Sequence, residues 1–172
     1  MNLRTLLAAA AALTLASQAA AQTTATQTYT VTVPASIQIA APAAATATHD
    51  ETSDDLDFAA ATWTVSGNGT DGVTVSFATA TAFVHSTDGS FKRDVTLALA
   101  EESTEGPATW TIDTATDTTD YDNTDEVATV VASSDGVGLA NLDLSVTFVT
   151  GTYGTFAAGD YATTVTGTVT AN

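Results

Sequence analysis

Apolar and polar side chains alternate along much of this chain. In Tyr29 to Ala41 every odd position (Tyr29, Val31, Val33, Ala35, Ile37, Ile39, Ala41) is apolar, while Thr30, Thr32, Ser36 and Gln38 hold even ones. A period of two predicts a strand with one dry and one wet face. Pro34 cannot donate a ladder hydrogen bond, so it should divide the run or mark a jump between sheets. The pattern recurs in Ala61, Trp63 and Val65, in Val73, Val75 and Phe77, and in Val95, Leu97 and Leu99. Leu142, Leu144, Val146 and Phe148 give the cleanest core face, and Tyr161, Val165 and Val169 stay in phase in a terminal strand over 160–171. Shorter pieces are expected at 82–85, around Trp110 and Ile112, and over 127–132, where both faces are apolar as in a central strand.

Turn residues separate these runs. Asn68-Gly69 and Asp71-Gly72 tolerate positive φ, so the strands on either side of them read as a hairpin. Glu101, Glu102 and Glu105 are expected in a loop ahead of Gly106-Pro107, and residues 113–126 in a polar loop without a strand pattern. About nine strands joined by short turns predict an all-β fold, an antiparallel Ig-like β-sandwich. No fixed repeat of 20–30 residues supports the alternative, a β-solenoid. Trp63 and Trp110 are the expected bulky anchors of the core.

Residues 1–21 follow another pattern: a short start with Arg4, an apolar run over 6–16, then Ala19-Ala20-Ala21. This is the pattern of a secretory signal peptide, and the run is short for a bilayer span. Residues 22–172 are then a single secreted or cell-surface domain without a transmembrane segment. At 172 residues the chain is long enough for one real core. It contains no cysteine, so that core must hold without disulfides.

Charge excludes several partners. Outside the leader only Lys92 and Arg93 are basic, against twenty acidic residues. Such a surface repels nucleic acid and anionic membranes. The largest acidic cluster is Asp113, Asp117, Asp120, Asp122, Asp125 and Glu126. Ca²⁺ takes six to eight hard oxygen ligands, which makes this cluster the candidate site for that ion, although the EF-hand spacing is absent. Catalysis finds little support, with no Gly-x-Ser-x-Gly elbow and no cysteine. Any two carboxylates, such as Glu102 and Asp122, could be nominated as a glycosidase pair, so the reading is of a non-enzyme. His49 and His85 are the only imidazoles and are expected at exposed loop or strand-end positions. Asn68-Gly69-Thr70 is a glycosylation sequon in a turn.

The early Tyr29-Thr-Val-Thr-Val33 strand and the ending Ala158-Gly-Asp-Tyr161 through Val165, Val169 and Asn172 are similar to small secreted bacterial surface subunits. The ending resembles the Gly-x-Tyr and alternating terminal strand of fimbrial and spore-coat-U-like β-sandwich proteins. The likeness covers both ends of the mature chain and little of its middle. Those families often carry cysteine pairs and end on an aromatic residue, and this chain does neither. The resemblance implies an extracellular structural subunit of a filament or coat. Physically, an alternating N-terminal strand (residues 22–33) can complete a neighbour's sheet. Tyr29, Val31, Val33, Ile37 and Ile39 would be the inserted side chains, and self-association or other surface subunits the partners. The second reading is an adhesin-like or carbohydrate-binding module, with or without Ca²⁺, using Tyr121, Tyr153 and Phe156.

Overall fold

The computed structural model describes residues 23–172; the leader pattern over 1–21 lies outside them. Residues 23–33 and 34–172 form two units. In the first, no residue is in a strand, and Tyr29, Val31 and Val33 are 82%, 87% and 76% exposed. The alternation there is real, but it has no partner strand among the described residues.

Residues 34–172 fold into antiparallel sheets. In chain order the strands are β1 (Ile37–Ala40), β2 (Leu56–Asp57), β3 (Ala61–Gly67), β4 (Val73–Thr79), β5 (Phe83–His85), β6 (Lys92–Arg93) and β7 (Val95–Glu105). They continue with β8 (Trp110–Thr114), β9 (Thr116–Thr118), β10 (Thr129–Ser134), β11 (Gly138–Phe148), β12 (Tyr161–Ala162) and β13 (Val165–Ala171). One layer of the sandwich has the order β1-β3-β11-β7-β9, with β2 also on β11, and the other β13-β4-β10-β8. A small third sheet has the order β12-β5-β6.

Thirteen strands are described where about nine were expected, because two segments switch sheets part-way along and two polar loops contain the short strands β2 and β9. Asp94 separates β6 from β7: its carboxylate accepts from the Thr119 hydroxyl and the Tyr121 amide, which takes it out of the ladder. The expected terminal strand breaks likewise at Thr163-Thr164, passing from the end sheet to the edge of the second layer.

β3 and β4 are strands but not a hairpin. β3 pairs with β1 and β11, and β4 with β10 and β13, so the turn between them crosses from one layer to the other. Alternation identifies which face of each strand is dry, and both dry faces here meet across the core. The Trp63 and Phe77 rings lie 5.0 Å apart, edge to face, between the layers. Gly67 and Gly72 make the corner possible. A Cβ on Gly67 would meet Val73 at 2.4 Å, and Gly72 has φ +81° with the Ser134 carbonyl in the space a Cβ would take.

Two expected loops contain strand. Glu101 and Glu105 are the exposed outer part of β7, paired with Leu142 and Leu139, and Glu102 is the extra residue where the register shifts. The polar stretch 113–126 holds the end of β8, all of β9 and a 3-10 turn over Tyr121–Asn123. Both were hidden because their side chains are polar on both faces; the backbone ladder alone fixes them.

Trp63 and Trp110 are buried, as are Phe77, Leu97, Leu142 and Val130, with contributions from both layers. Val165, Val169 and Ile39 pack against this core while remaining partly exposed.

Gly72→Ala should destabilise the fold by at least about 2 kcal/mol, since left-handed strain adds to a backbone clash. Gly151, at φ +69° in open space, gives the control: its alanine variant should cost about 1 kcal/mol or less. Urea unfolding of the two variants checks the contrast.

Candidate functional site

At the end of the sandwich near the small sheet the two layers do not close. β1 covers β3 only from Thr64 to Gly67, so the Ala61–Trp63 edge has no strand beside it. β13 is likewise an edge strand, paired only with β4. Between the starts of β3 and β13, marked by Ala61 and Val165, lies a groove of about 960 Å³.

Its floor is apolar. Leu56, Phe58, Phe83, Leu144, Val146 and Phe148 line it. Phe58 stacks on Phe83 at 6.1 Å, Phe83 meets Phe148 at 5.2 Å, and Phe148 meets Tyr161 at 5.6 Å. β11 brings Leu144 to Phe148 here by its inward alternation, and the Phe58 amide donates to the Val146 carbonyl to hold the neighbouring segment. The walls are two irregular segments, residues 45–51 and 153–163.

Each wall is held by a histidine. On the first, the His49 ring lies edge-on to Phe148 and Phe156 at 5.9 and 5.1 Å. Its Nδ1 accepts from the Glu51 amide at 2.9 Å and its Nε2 lies 2.8 Å from the Thr150 hydroxyl. On the second, His85 Nδ1 accepts from the Thr87 and Asp88 amides, and Nε2 lies 3.2 Å from the Ala158 carbonyl. Both imidazoles were expected at exposed positions, but His85 is buried and His49 half-buried. Next to each sits a carboxylate held below its ordinary pKa by hydroxyl and amide donors, Asp50 by Thr52 and Asp88 by Ser90. Both carboxylates are exposed.

At the outer end of the second wall Tyr153 is 54% exposed and 6.5 Å from Phe156. The Arg93 guanidinium lies 5.2 Å over the other side of that aromatic pair, on Phe156, and donates to the Thr155 hydroxyl. The Tyr121 phenol accepts from the same Arg93 in a smaller cleft, so that guanidinium touches both Tyr121 and Phe156.

The remaining candidates fall as follows. Ile37 and Ile39 lie in β1, paired with Gly67 and Val65 of their own sheet; Ile37 is 43% exposed and Ile39 packs against the core. Tyr29, Val31 and Val33 stay exposed.

The acidic residues do not converge. Asp117 accepts from the Thr118 and Thr129 amides, Asp120 from the Asn123 side chain, and Glu126 pairs with Lys92. Asp113, Asp122 and Asp125 are exposed. Among the described residues no three His, Asp or Glu side chains come together closely enough to hold a metal ion. Asn68 ties the crossing turn to the entry of β1: its amide donates to the Pro34 carbonyl at 2.8 Å and accepts from the Ser36 amide at 2.7 Å.

The groove itself was not read from the sequence. Its floor comes from three separate segments, each carrying only one ring. The signal available was the gathering of Phe58, Phe83, Phe148 and Tyr161 at strand ends.

Comparison of the chain with protein-family models, curated proteins and solved structures gives no match. Among the described residues no helix is long and apolar enough to cross a membrane.

Asn68→Ala should cost about 1–2 kcal/mol by removing both hydrogen bonds. Asn68→Asp keeps the acceptor and should cost less. Thermal and urea denaturation of both variants rank them.

Proposed function

We propose that this chain is an extracellular structural subunit of a bacterial surface filament or coat, and that copies join non-covalently by strand addition. The observation that carries the reading is the open groove, apolar along its floor, with the starts of β3 and the edge strand β13 reaching it at Ala61 and Val165. The occupant is residues 23–33 of a second copy. That segment alternates Tyr29, Val31 and Val33 with threonines and leaves these three side chains exposed. An added strand gains backbone hydrogen bonds along an edge while alternate side chains fill pockets.

Charge supports the same occupant. The formal net charge is −17, and two such surfaces repel. Residues 22–48 contain no charged side chain, so this part of a neighbour can approach the groove without adding to the repulsion. The groove and the segment are different surfaces, which makes the contact head-to-tail and open-ended, the geometry of a filament. The leader pattern of residues 1–21 supports export of the subunit.

A second reading, a carbohydrate-binding or adhesin-like module, is favoured by Tyr153 alone, exposed at the rim beside Phe156. Glycan-array binding that is lost in Tyr153→Ala, without filaments, would establish it over the first.

Deleting residues 22–33 should abolish assembly and leave the melting temperature within a few degrees of the parent. Raising salt should promote assembly of the intact chain, because screening shortens the range of repulsion to about 10 Å at 0.1 M. Light scattering and electron microscopy read both effects. Filaments formed equally well by the deletion variant would refute strand addition.

A further inference from the structure

The two histidines fix their own protonation state by their neighbours. The Thr150 hydroxyl donates its single proton to the Asp54 carbonyl, so it can only accept from His49 Nε2–H. The Glu51 amide donates to Nδ1, which must therefore carry a lone pair. His85 is arranged the same way. The Ala158 carbonyl can only accept from Nε2–H, while the Thr87 and Asp88 amides both donate to Nδ1. Each ring is a neutral bridge between a backbone turn and the segment opposite. A proton on Nδ1 turns an acceptor into a donor facing other donors.

What the rings hold is the groove wall. His49 joins residues 49–51 to Thr150 and packs on Phe148 and Phe156. His85 lies under Gly159, where a Cβ would come within 2.1 Å of Nε2, and packs edge-on against Tyr161 at 5.0 Å. Elsewhere this wall is tied by the Tyr161 hydroxyl to Ala157, by the Ser86 amide to the Asp160 carbonyl and by Arg93 over Phe156.

The charged groups around the rings favour a proton rather than oppose it. Asp50 lies 4.0 Å from His49 Nδ1, with Glu51 adjacent and Asp55 accepting from the Thr150 amide. Asp88 faces His85, and Asp160 borders it through its carbonyl. Of the cations, Lys92 is paired with Glu126 and Arg93 is stacked on Phe156. Tyr161 presents its ring to His85, and its hydroxyl is bonded to Ala157.

We propose that His49 and His85 make the groove pH-sensitive: neutral, they clamp its two walls, and mild acid releases both. Asp50 gives the released His49 a second resting place, since a protonated Nδ1 can turn from the Glu51 amide to that carboxylate. The consequence for assembly rests on the groove being the acceptor of a neighbour's strand; the release of the walls does not. The sign is fixed by the bonds. The clamped form binds fewer protons, so it is favoured at neutral pH and lost as pH falls into the mildly acid range. Asp50 and Asp88 stay ionised in that range, being held below the ordinary carboxylate value by Thr52 and Ser90.

The test is amide hydrogen exchange on the full mature chain, at concentrations too low for assembly and corrected for intrinsic rates. Between about pH 7.5 and about pH 5 the Glu51, Thr87 and Asp88 amides should lose protection roughly tenfold or more. Asparagine keeps an acceptor near the Nδ1 position and does not titrate. His49→Asn should therefore abolish the change at Glu51, and His85→Asn the change at Thr87 and Asp88. Unchanged protection in the parent chain, or a loss that persists in both variants, overturns the proposal. Should a variant fail to fold, ring ¹⁵N shifts of the parent chain decide. Nε2–H rings at neutral pH that titrate together with the three amides support the clamp, and rings that titrate while those amides stay protected overturn it. Assembly of the chain lacking residues 22–33 is a separate measurement, so failure of strand addition and failure of the clamp are distinguishable.

Discussion

Strand β11 carries hydrogen bonds on both edges over almost its whole length, and the rest of the sandwich is built out from it. β3 and β2 lie along one edge and β7 along the other. The inward residues Ala140, Leu142, Leu144 and Phe148 are buried. Without disulfides, cohesion between layers comes chiefly from apolar contact, and β11 supplies the longest continuous row of it. The same strand sets where the fold is incomplete. Its neighbour β3 begins opposite Leu144, and only the two residues of β2 cover the far end. The groove floor is thus the part of the β11 row that the opposite layer does not reach.

How much of this was legible in the sequence depends on what each residue pattern can encode. Alternation marked the dry faces of β3, β4, β7 and β11, and turn residues marked most of their ends. It could not say which strands pair. Val73, Val75 and Phe77 would alternate identically in a hairpin with β3 or across the core from it, and only the corner glycines distinguish the two after the fact. Polar strands were invisible for a related reason: Glu101 to Glu105 and Thr116 to Thr118 are held by backbone ladders at exposed edges, where side chains are unconstrained. Tyr29 to Val33 shows the opposite failure, a good strand pattern with no strand.

The candidate site was less legible than the fold because it is made of remainders. Phe58, Phe83, Phe148 and Tyr161 each sit at or beside a strand end, and His49 and Phe156 in irregular connections, where sequence periodicity stops. Their proximity follows from three sheets meeting at one end, a property of topology. The acidic residues show that density in sequence is no guide to convergence. Six carboxylates within 14 positions spread along β8, β9 and a 3-10 turn, and several of their oxygens are already satisfied by amides or Lys92.

An apolar groove on a strongly acidic, cysteine-free domain is a conflict between two demands. The acidic surface keeps copies apart and soluble, while an open aromatic floor invites contact. Separating the two in space resolves the conflict. Negative charge covers the exposed turns and the outer part of β7, whereas the groove is lined mainly by aromatic, aliphatic and small residues, with Glu51 and Asp160 at its border. A partner bearing the same charge distribution can then reach the floor only through a segment free of charge. Within this chain the long uncharged stretch outside the leader is the one preceding His49, and its strand-like part, Tyr29 to Val33, is the part the sandwich leaves unused.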